Sequence, residues 1–295
     1  MQKVLSLHKM KRGKSGVKLS RSLGGTLAIA LFLILIGAFM ALPIVYSLIQ
    51  SVKPMDEIFA YPPRFFVRNP TFDNYIQVYQ LCQNLWVPLS RYLFNSLFIA
   101  AAGTVVYIFI ASMAAFPLSK HRFPGKAFIS ALIVWALLFR SEVTSIPQYI
   151  IISELGMINT YWALLLPPLA TTLGVFLMMQ FMESAIPDAV LEAARIHGAS
   201  EYRMFRSIVM PAVKPAWLTL VIFTFQSFWN ATGVSYVYDE SLKTLPAVLS
   251  NISSGGLART GATAAVAVIL LIPPVIIFIL SQSSISETMA HSGLK

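Results

Sequence analysis

Long runs of apolar residues, each free of Lys, Arg, Asp and Glu, recur along the chain. Crossing the hydrocarbon of a bilayer takes about 20 mostly apolar residues in a helix. Each run reaches that length. We therefore predict five membrane-spanning helices, at residues 24–49, 92–118, 161–182, 217–238 and 260–282.

A sixth predicted span, at residues 127–145, is less regular because Arg140 and Glu142 lie near its end. We expect Arg140 to extend its guanidinium toward the outer interface. Residues 146–155 should then lie partly in the interface and break at Pro147. A charged residue inside a span is often functional, but at the end of a span we interpret this pair as interfacial.

The composition is that of a membrane protein rather than a soluble one. Hydrophobic residues make up 57% of the chain and charged residues 12%, with a mean hydropathy of +0.71. Soluble domains average about 25% charged residues, so this chain has too little charge to cover a soluble surface. The predicted fold class is all-α integral membrane, with six transmembrane helices in one domain over residues 23–295.

The basic residues predict the orientation of the chain. Residues 1–22 hold seven Lys and Arg, and more gather at 119–126 and 183–216. Because Lys and Arg accumulate on the cytoplasmic side, we predict that these segments and both termini are cytoplasmic. The apolar run after the basic tail is too long for a signal peptide, whose apolar core has about 7–15 residues. Topology thus explains the net charge of +10, and nucleic acid is not an expected partner.

Residue types that support metal or ATP chemistry are sparse. Cys82 is the single cysteine and the four histidines have no ligand-like spacing, so neither a disulfide framework nor a metal site is predicted. The sequence lacks Gly-x-x-x-x-Gly-Lys-Ser/Thr, the loop that cradles the phosphates of ATP. We predict no catalytic residues and no cofactor bound by this chain.

The pattern of residues 186–216 predicts two short helices set at an angle. Pro187 suits a helix start, and good helix formers follow it as far as His197. Gly198 fits the left-handed position that ends a helix, and Ser200 can cap the next one. This geometry favours docking to a cytoplasmic protein. An amphipathic loop resting on the membrane is the alternative.

The same segment resembles a family motif. The stretch EAARIHGASEYRMFRSIVMP, residues 192–211, is similar to the EAA loop of binding-protein-dependent ABC importer permeases, with Met210 where the family usually has Leu. Residues 155–170 and 225–230 resemble the carbohydrate, maltose-type branch of that family. In that branch an acidic residue commonly follows the Trp-Asn pair, and here Ala231 stands there instead.

The resemblance implies a type I ABC importer permease fold in a bacterial cell membrane. In that family the EAA loop forms a coupling helix, held in a cleft of a cytoplasmic ATP-binding subunit. The implied partners are a pair of ATPase subunits, which bind ATP and Mg²⁺, a second and different permease, and an extracytoplasmic sugar-binding protein. The residues expected to contact the ATPase are Glu192, Ala193, Ala194, Gly198 and Ala199. A solvated helix charge is the alternative for Glu192.

Polar and aromatic residues of the fifth apolar run are candidates for contact with a solute. Gln226 and Asn230 share one face of a helix, and polar groups within a span tend to face a cavity or another helix. We predict that Gln226, Trp229 and Asn230 line the substrate pathway. Helix packing or interfacial anchoring is the alternative, and it is preferred for Trp229, Tyr236 and Tyr238.

Residues 50–91 form the long outer loop of this topology and are rich in aromatic residues. We predict that the loop folds against the outer face and touches the binding protein. A purely structural loop is the alternative.

These patterns together predict one permease subunit of a sugar importer, forming half of the translocation pathway. An ABC permease for a non-sugar solute, such as a polyamine or phosphate, is the nearest alternative. An ion-coupled secondary transporter would favour broken helices and buried acidic groups, and a membrane enzyme would need a nucleophile, metal site or acid–base pair in its spans. The five uninterrupted runs contain no acidic residue.

Overall fold

The computed structural model describes residues 23–83, 87–139, 141–256 and 259–292. The regular secondary structure in these ranges is helical. In chain order the α-helices are α1 Leu23–Ser51, α2 Met55–Ile58, α3 Asp73–Gln83, α4 Leu89–Lys120, α5 Lys126–Ala136, α6 Ser141–Glu154, α7 Tyr161–Leu169, α8 Leu173–Ala185, α9 Asp188–Ile196, α10 Glu201–Met204, α11 Met210–Ala212, α12 Lys214–Trp229, α13 Leu245–Ser253 and α14 Thr260–Ser292. A π-helical turn, Phe205–Val209, joins α10 to α11, and a 3₁₀ turn lies at Glu240–Leu242.

The chain divides into two compact units, residues 1–46 and residues 47–295. The described part of the first unit belongs to α1. The apolar stretch of this helix, Gly24–Ser51, has a mean hydropathy of 2.8. A helix that is apolar on all sides is typical of a membrane span.

Helix α4 is the centre of the second unit. It packs along α8 and α12 and also contacts α7 and α13, while α12 packs on α14. A Cβ atom added to Gly103 would lie 2.5 Å from the Phe228 ring, and one added to Gly174 would lie 2.5 Å from the Tyr107 ring. Glycine at these positions lets the helices approach closely. In a bilayer the hydrophobic effect does not drive helices together, so close packing at small residues is a main source of their association.

Two clusters of buried residues fill the second unit. The first joins α4, α12, α13 and α14 around Tyr92 and Trp229. The second joins the other end of α4 to α8 and to the segment 188–213, around Met178 and Leu191. Burying a large apolar side chain stabilises a fold by about 1.5–3 kcal/mol, so the second cluster holds this segment firmly on the helices beneath it.

Several helices are long and apolar enough to cross a bilayer. Three do so singly: Gly24–Ser51, Leu89–Lys120 and Thr260–Gln282. Two more spans are possible as bent pairs: Tyr161–Leu169 with Leu173–Ala185, bent by 43°, and Glu201–Ala212 with Lys214–Trp229, bent by 79°. The described residues confirm the all-α membrane fold with three to five spans, and the count of six stays a prediction.

The predicted span 127–145 is two helices rather than one. Helix α5 ends at Ala136, where the chain tightens into hydrogen bonds between residues three apart; the N–H of Leu138 donates to the carbonyl of Trp135 at 3.0 Å. This tightening is a common way for a helix to end. Helix α6 then begins at Ser141.

Helix α6 continues through Pro147 to Glu154, so the break predicted at Pro147 is wrong. A membrane helix tolerates proline when neighbouring groups satisfy the freed carbonyl. The predictions for Arg140, for the side chain of Glu142 and for the basic tail at residues 1–22 lie outside the described residues.

Two other predicted spans are also corrected. The span 161–182 is interrupted at residues 170–172, between α7 and α8. The span 217–238 is shorter than predicted because α12 ends at Trp229. Beyond the end of α12, Gly233 has a φ of +60°, a left-handed conformation that glycine adopts without strain.

Candidate functional site

The turn between α9 and α10 has the predicted geometry. Gly198 has a φ of +76°. Its N–H donates to the carbonyl of Arg195 at 2.9 Å, and the N–H of Ala199 donates to the carbonyl of Ala194 at 3.0 Å. This pair of hydrogen bonds around a left-handed glycine is the Schellman motif that ends helices. The local sequence alone is therefore sufficient to stop α9 here.

The second helix of the segment starts at the predicted cap. The Ser200 hydroxyl accepts a hydrogen bond from the N–H of Arg203 at 3.3 Å, which confirms Ser200 as the N-cap of α10. From there the chain runs through the π-helical turn and α11, and then bends by 79° into α12. The segment 188–212, hereafter the coupling segment, is thus joined directly to a predicted span.

The coupling segment rests on α4 and α8 through a few buried side chains. Leu191 is the buried residue of α9, and Met204 and Phe205 are buried at the next turn. The Phe205 ring lies 5.8 Å from the Phe116 ring of α4. The remaining α9 side chains are exposed or half-buried. One face of α9 is therefore fixed to the membrane helices and the other is open.

Charged groups clamp the coupling segment to the end of α4. The Lys120 ammonium lies 3.0 Å from the Asp188 carboxylate at the start of α9. The Glu201 carboxylate lies 3.0 Å from His121 Nε2 and 3.0 Å from Arg195 Nε. Glu201 thereby connects α9, α10 and α4. These ion pairs were not predicted from the sequence, although the basic residues at 119–126 were a visible signal for them.

Both clamp carboxylates are more acidic than usual. The pKa of Asp188 is lowered by the hydrogen bond and the positive charge of Lys120. The pKa of Glu201 is lowered by hydrogen bonds from Arg195 and His121. A lowered carboxylate pKa stabilises the fold above the ordinary pKa, and the contribution is lost as the pH falls through the lowered value. Both carboxylates are therefore ionised at neutral pH, and their exposure keeps each contribution to stability small.

The predicted ATPase-contact residues lie together on the coupling segment. Glu192, Ala193 and Gly198 are exposed, and Ala194 and Ala199 are half-buried. Within the described residues the Glu192 carboxylate makes no hydrogen bond or ion pair, so it is available to a partner. Their role in contacting an ATPase stays a prediction.

The coupling segment also exposes apolar residues, and the sequence analysis did not predict them as part of the site. Ile196 is 85% exposed and Val190 is 44% exposed. Tyr202 at the start of the second helix is 61% exposed. The coupling segment therefore exposes apolar side chains as well as charged ones.

The three predicted pathway residues lie on different sides of α12 and its C-terminal cap. Gln226 and Asn230 are exposed on one face, together with Phe223 and Ser227. Trp229 is fully buried on another side, where its indole N–H donates to the carbonyl of Leu270 in α14 at 3.1 Å. This contact fits the packing interpretation for Trp229, whereas Gln226 and Asn230 remain open to a solute or a partner helix.

Residues 231–244, predicted in part as a span, form a loop pinned by distant side chains. The Asn159 side-chain oxygen accepts hydrogen bonds from two consecutive backbone N–H groups of the loop, at 3.1 and 2.8 Å. The Asn95 amide donates to two loop carbonyls, at 2.9 and 3.0 Å. The Tyr236 ring stacks on the Tyr149 ring at 6.0 Å. These contacts account for Tyr236 as a structural residue of the loop.

The predicted outer loop is tied together by its own polar groups. The Lys53 ammonium is buried and donates to the carbonyl of Arg64 at 2.7 Å. The Glu57 carboxylate accepts two backbone N–H groups at 3.0 Å, which lower its pKa. Tyr61 is 94% exposed on this loop. The loop is therefore folded, and its contact with a binding protein stays a prediction.

Comparison with known proteins decides the family. The sequence model of the family described as "Binding-protein-dependent transport system inner membrane component" matches residues 94–290, about two thirds of the chain. The chain belongs to this family. The resemblance drawn from the EAA loop is thereby confirmed, and this permease is a membrane component of an ABC transporter.

Curated relatives and a solved structure agree with this assignment. The permease is 31% identical over 258 residues to the sn-glycerol-3-phosphate transport system permease protein UgpE of Brucella melitensis, covering 85% of this chain and 91% of that one. It is 26% identical over 223 residues to the polygalacturonan/rhamnogalacturonan transport system permease protein YtcP of Bacillus subtilis, covering 75% of each. A chain of a bacterial ABC transporter that imports the polysaccharide alginate has the same fold, with a TM-score of 0.71, 21% identity, and coverage of 89% of this chain and 98% of that one.

Proposed function

We propose that this permease is one half of the translocation pathway of an ATP-driven, binding-protein-dependent sugar importer. The observation that carries the proposal is the coupling segment, an exposed helix fixed on its inner face to α4 and α8 and joined to α12. A force applied to α9 is transmitted to the membrane-spanning helices, because its inner face is packed against them and its first residue is ion-paired with Lys120.

The partner that fits the open face of α9 is a cytoplasmic ATPase subunit. Ala193 leaves room for close approach, Ile196 and Val190 offer apolar contact, and Glu192 offers an unpaired carboxylate to a basic group. Two copies of the ATPase would bind ATP and Mg²⁺, because the permease sequence has no phosphate-binding loop. The permease itself then binds no cofactor.

A second, different permease is the proposed partner within the membrane. Gln226, Ser227 and Asn230 present amides and a hydroxyl from one exposed face of α12. Polar groups in a span are costly against lipid and face a water-filled cavity or another helix. The face therefore suits a pathway shared by two permeases. The excess of Lys and Arg at 1–22, 119–126 and 183–216 supports a cytoplasmic location for both termini.

The proposed solute is a sugar, delivered by an extracytoplasmic binding protein. Support comes from the likeness of residues 155–170 and 225–230 to carbohydrate permeases and from the relative named for polygalacturonan and rhamnogalacturonan. The relative named for sn-glycerol-3-phosphate favours a phosphorylated polyol as the second candidate. Both are hydroxyl-rich solutes.

The test is a pull-down of the permease from detergent-solubilised host membranes, followed by an ATPase assay. Gly198→Asp should lose the ATPase, because the side chain strains the left-handed turn and adds a charge beside the contact. Gly156→Asp is the matched control: Gly156 also has a positive φ, +64°, and open space around its Cβ position, but it is not a residue of the coupling segment, 188–212. Wild type and the control should bring down an ATPase and a second permease. Recovery of wild type alone would refute the importer.

A further inference from the structure

A cavity of about 270 Å³ lies between the C-terminal end of α4 and the coupling segment. Met113, Phe116 and Pro117 of α4 line one side of it. Tyr202 and Phe205 of the coupling segment line the other side. Apolar cavities in proteins stay dry and accept apolar ligands. The walls of this cavity therefore suit a hydrocarbon chain.

An exposed apolar stripe of α4 leads into the cavity. Val106, Ile110 and Met113 are exposed, and together with Pro117 they recur at helical spacing on one face. At 1.5 Å per residue, Ile110 lies about 15 Å along the helix from Lys120, where α4 ends. That distance is about half of the hydrocarbon thickness. In the proposed orientation the stripe therefore lies at the depth of the acyl chains of the cytoplasmic leaflet.

Three arginines without partners lie beside the residues that line the cavity. Each directly follows a lining residue in the chain: Arg122 follows His121, Arg203 follows Tyr202, and Arg206 follows Phe205. All three arginines are exposed. Their guanidinium groups make no hydrogen bond or ion pair to the described part of the chain. The rim of the cavity is therefore rich in free positive charge.

The Glu201 carboxylate also lines the cavity, but its charge is offset. It lies 3.0 Å from Arg195 Nε and 3.0 Å from His121 Nε2. Arginine binds phosphate through paired hydrogen bonds, and basic clusters on the cytoplasmic side of a membrane helix attract anionic lipids. An apolar cavity with a positive rim is complementary to a lipid with an anionic headgroup.

We propose that this cavity holds an acyl chain of an anionic phospholipid from the cytoplasmic leaflet, with the lipid phosphate on the arginines of the rim. The lipid joins α4, through Arg122, to the coupling segment, through Arg203 and Arg206. It thereby adds a contact that holds the proposed ATPase-docking segment on the membrane helices. That consequence rests on the proposed importer function, whereas the lipid site itself does not.

Native mass spectrometry of the purified permease tests the site. Phosphatidylglycerol is the anionic probe, and phosphatidylcholine with the same acyl chains is the zwitterionic probe. Wild type should retain phosphatidylglycerol in preference to phosphatidylcholine. Arg206→Gln should weaken phosphatidylglycerol binding about 5-fold, which is the effect of one basic residue near an anionic surface.

Lys214→Gln is the matched control and should bind both lipids as wild type does. Lys214 is another exposed cation of the basic segment 183–216, without a partner in the described part of the chain and without a lining residue next to it. Equal retention of the two lipids by wild type would overturn the proposal. Equal phosphatidylglycerol binding in Arg206→Gln and Lys214→Gln would also overturn it.

Photo-cross-linking identifies the occupant in the complete transporter. Met113→benzoylphenylalanine, in nanodiscs of phosphatidylglycerol and phosphatidylcholine, should give an adduct with phosphatidylglycerol. Capture of the second permease or of the ATPase instead would show that a protein covers the cavity and would overturn the lipid site. Purification of wild type without an ATPase would refute the importer, and the lipid measurements on the permease alone would still decide the site.

Discussion

Tyr107→Phe tests how the break between α7 and α8 is held. The Tyr107 hydroxyl lies 2.9 Å from the N–H of Gly174 and 2.9 Å from the carbonyl of Thr171. Gly174 belongs to the first turn of α8, whose N–H groups have no partner within the helix. The tyrosine thus supplies the hydrogen bonds that an unbroken helix would have made. Phenylalanine keeps the ring that packs on Gly174 and removes the hydroxyl alone.

The expected cost follows from where the two backbone groups lie. Thr171 is exposed and its carbonyl can bind water, whereas Gly174 is buried. A buried group left unpaired costs about 1–3 kcal/mol, and hydrogen bonds within membrane proteins measure about 0.6–1.7 kcal/mol. We therefore expect Tyr107→Phe to destabilise the protein by about 1–2 kcal/mol.

The assay is thermal unfolding of the purified permease in nanodiscs, with hydrogen exchange at Gly174 as a local readout. A domain of this size loses about 2–4 °C in Tm per kcal/mol, so Tm should fall by several degrees and the Gly174 amide should exchange faster. Tyr79→Phe, at an exposed α3 tyrosine, is the control. Equal Tm and exchange in both variants would show that water, not Tyr107, satisfies the break.

Three further predictions test other contacts. Gly103→Ala should lower Tm because its Cβ would meet the Phe228 ring, whereas Gly37→Ala, which has open space, should not; equal Tm values would show that the ring moves aside freely. Glu201→Gln should speed hydrogen exchange of α9 at neutral pH, and the wild type should approach the variant as the pH falls through the lowered pKa of Glu201; a pH-independent wild type would contradict the clamp. Asn159→Ala should make residues 231–244 sensitive to proteolysis, because two backbone N–H groups lose their acceptor; an intact loop would mean that the other anchors suffice.

Features that depend only on residues close together in the sequence could be predicted from the sequence. The long apolar runs gave α1, α4 and α14, because crossing lipid demands a continuous apolar helix whatever surrounds it. The Gly198 turn and the Ser200 cap follow from a few adjacent residues whose backbone preferences are strong. The motif at 192–211 also identified the family, since it requires residue types at fixed spacing.

Features that depend on distant partners were decided by the tertiary structure. Hydropathy gave no sign of the break at 170–172, because the Tyr107 hydroxyl that satisfies it comes from another helix. Residue types alone made Gln226, Trp229 and Asn230 candidates for the pathway, and packing was already the preferred alternative for Trp229; only the contact with α14 shows that the tryptophan is buried. Long-range hydrogen bonds depend on which helices are in contact. The local pattern of polar and apolar residues does not specify those contacts.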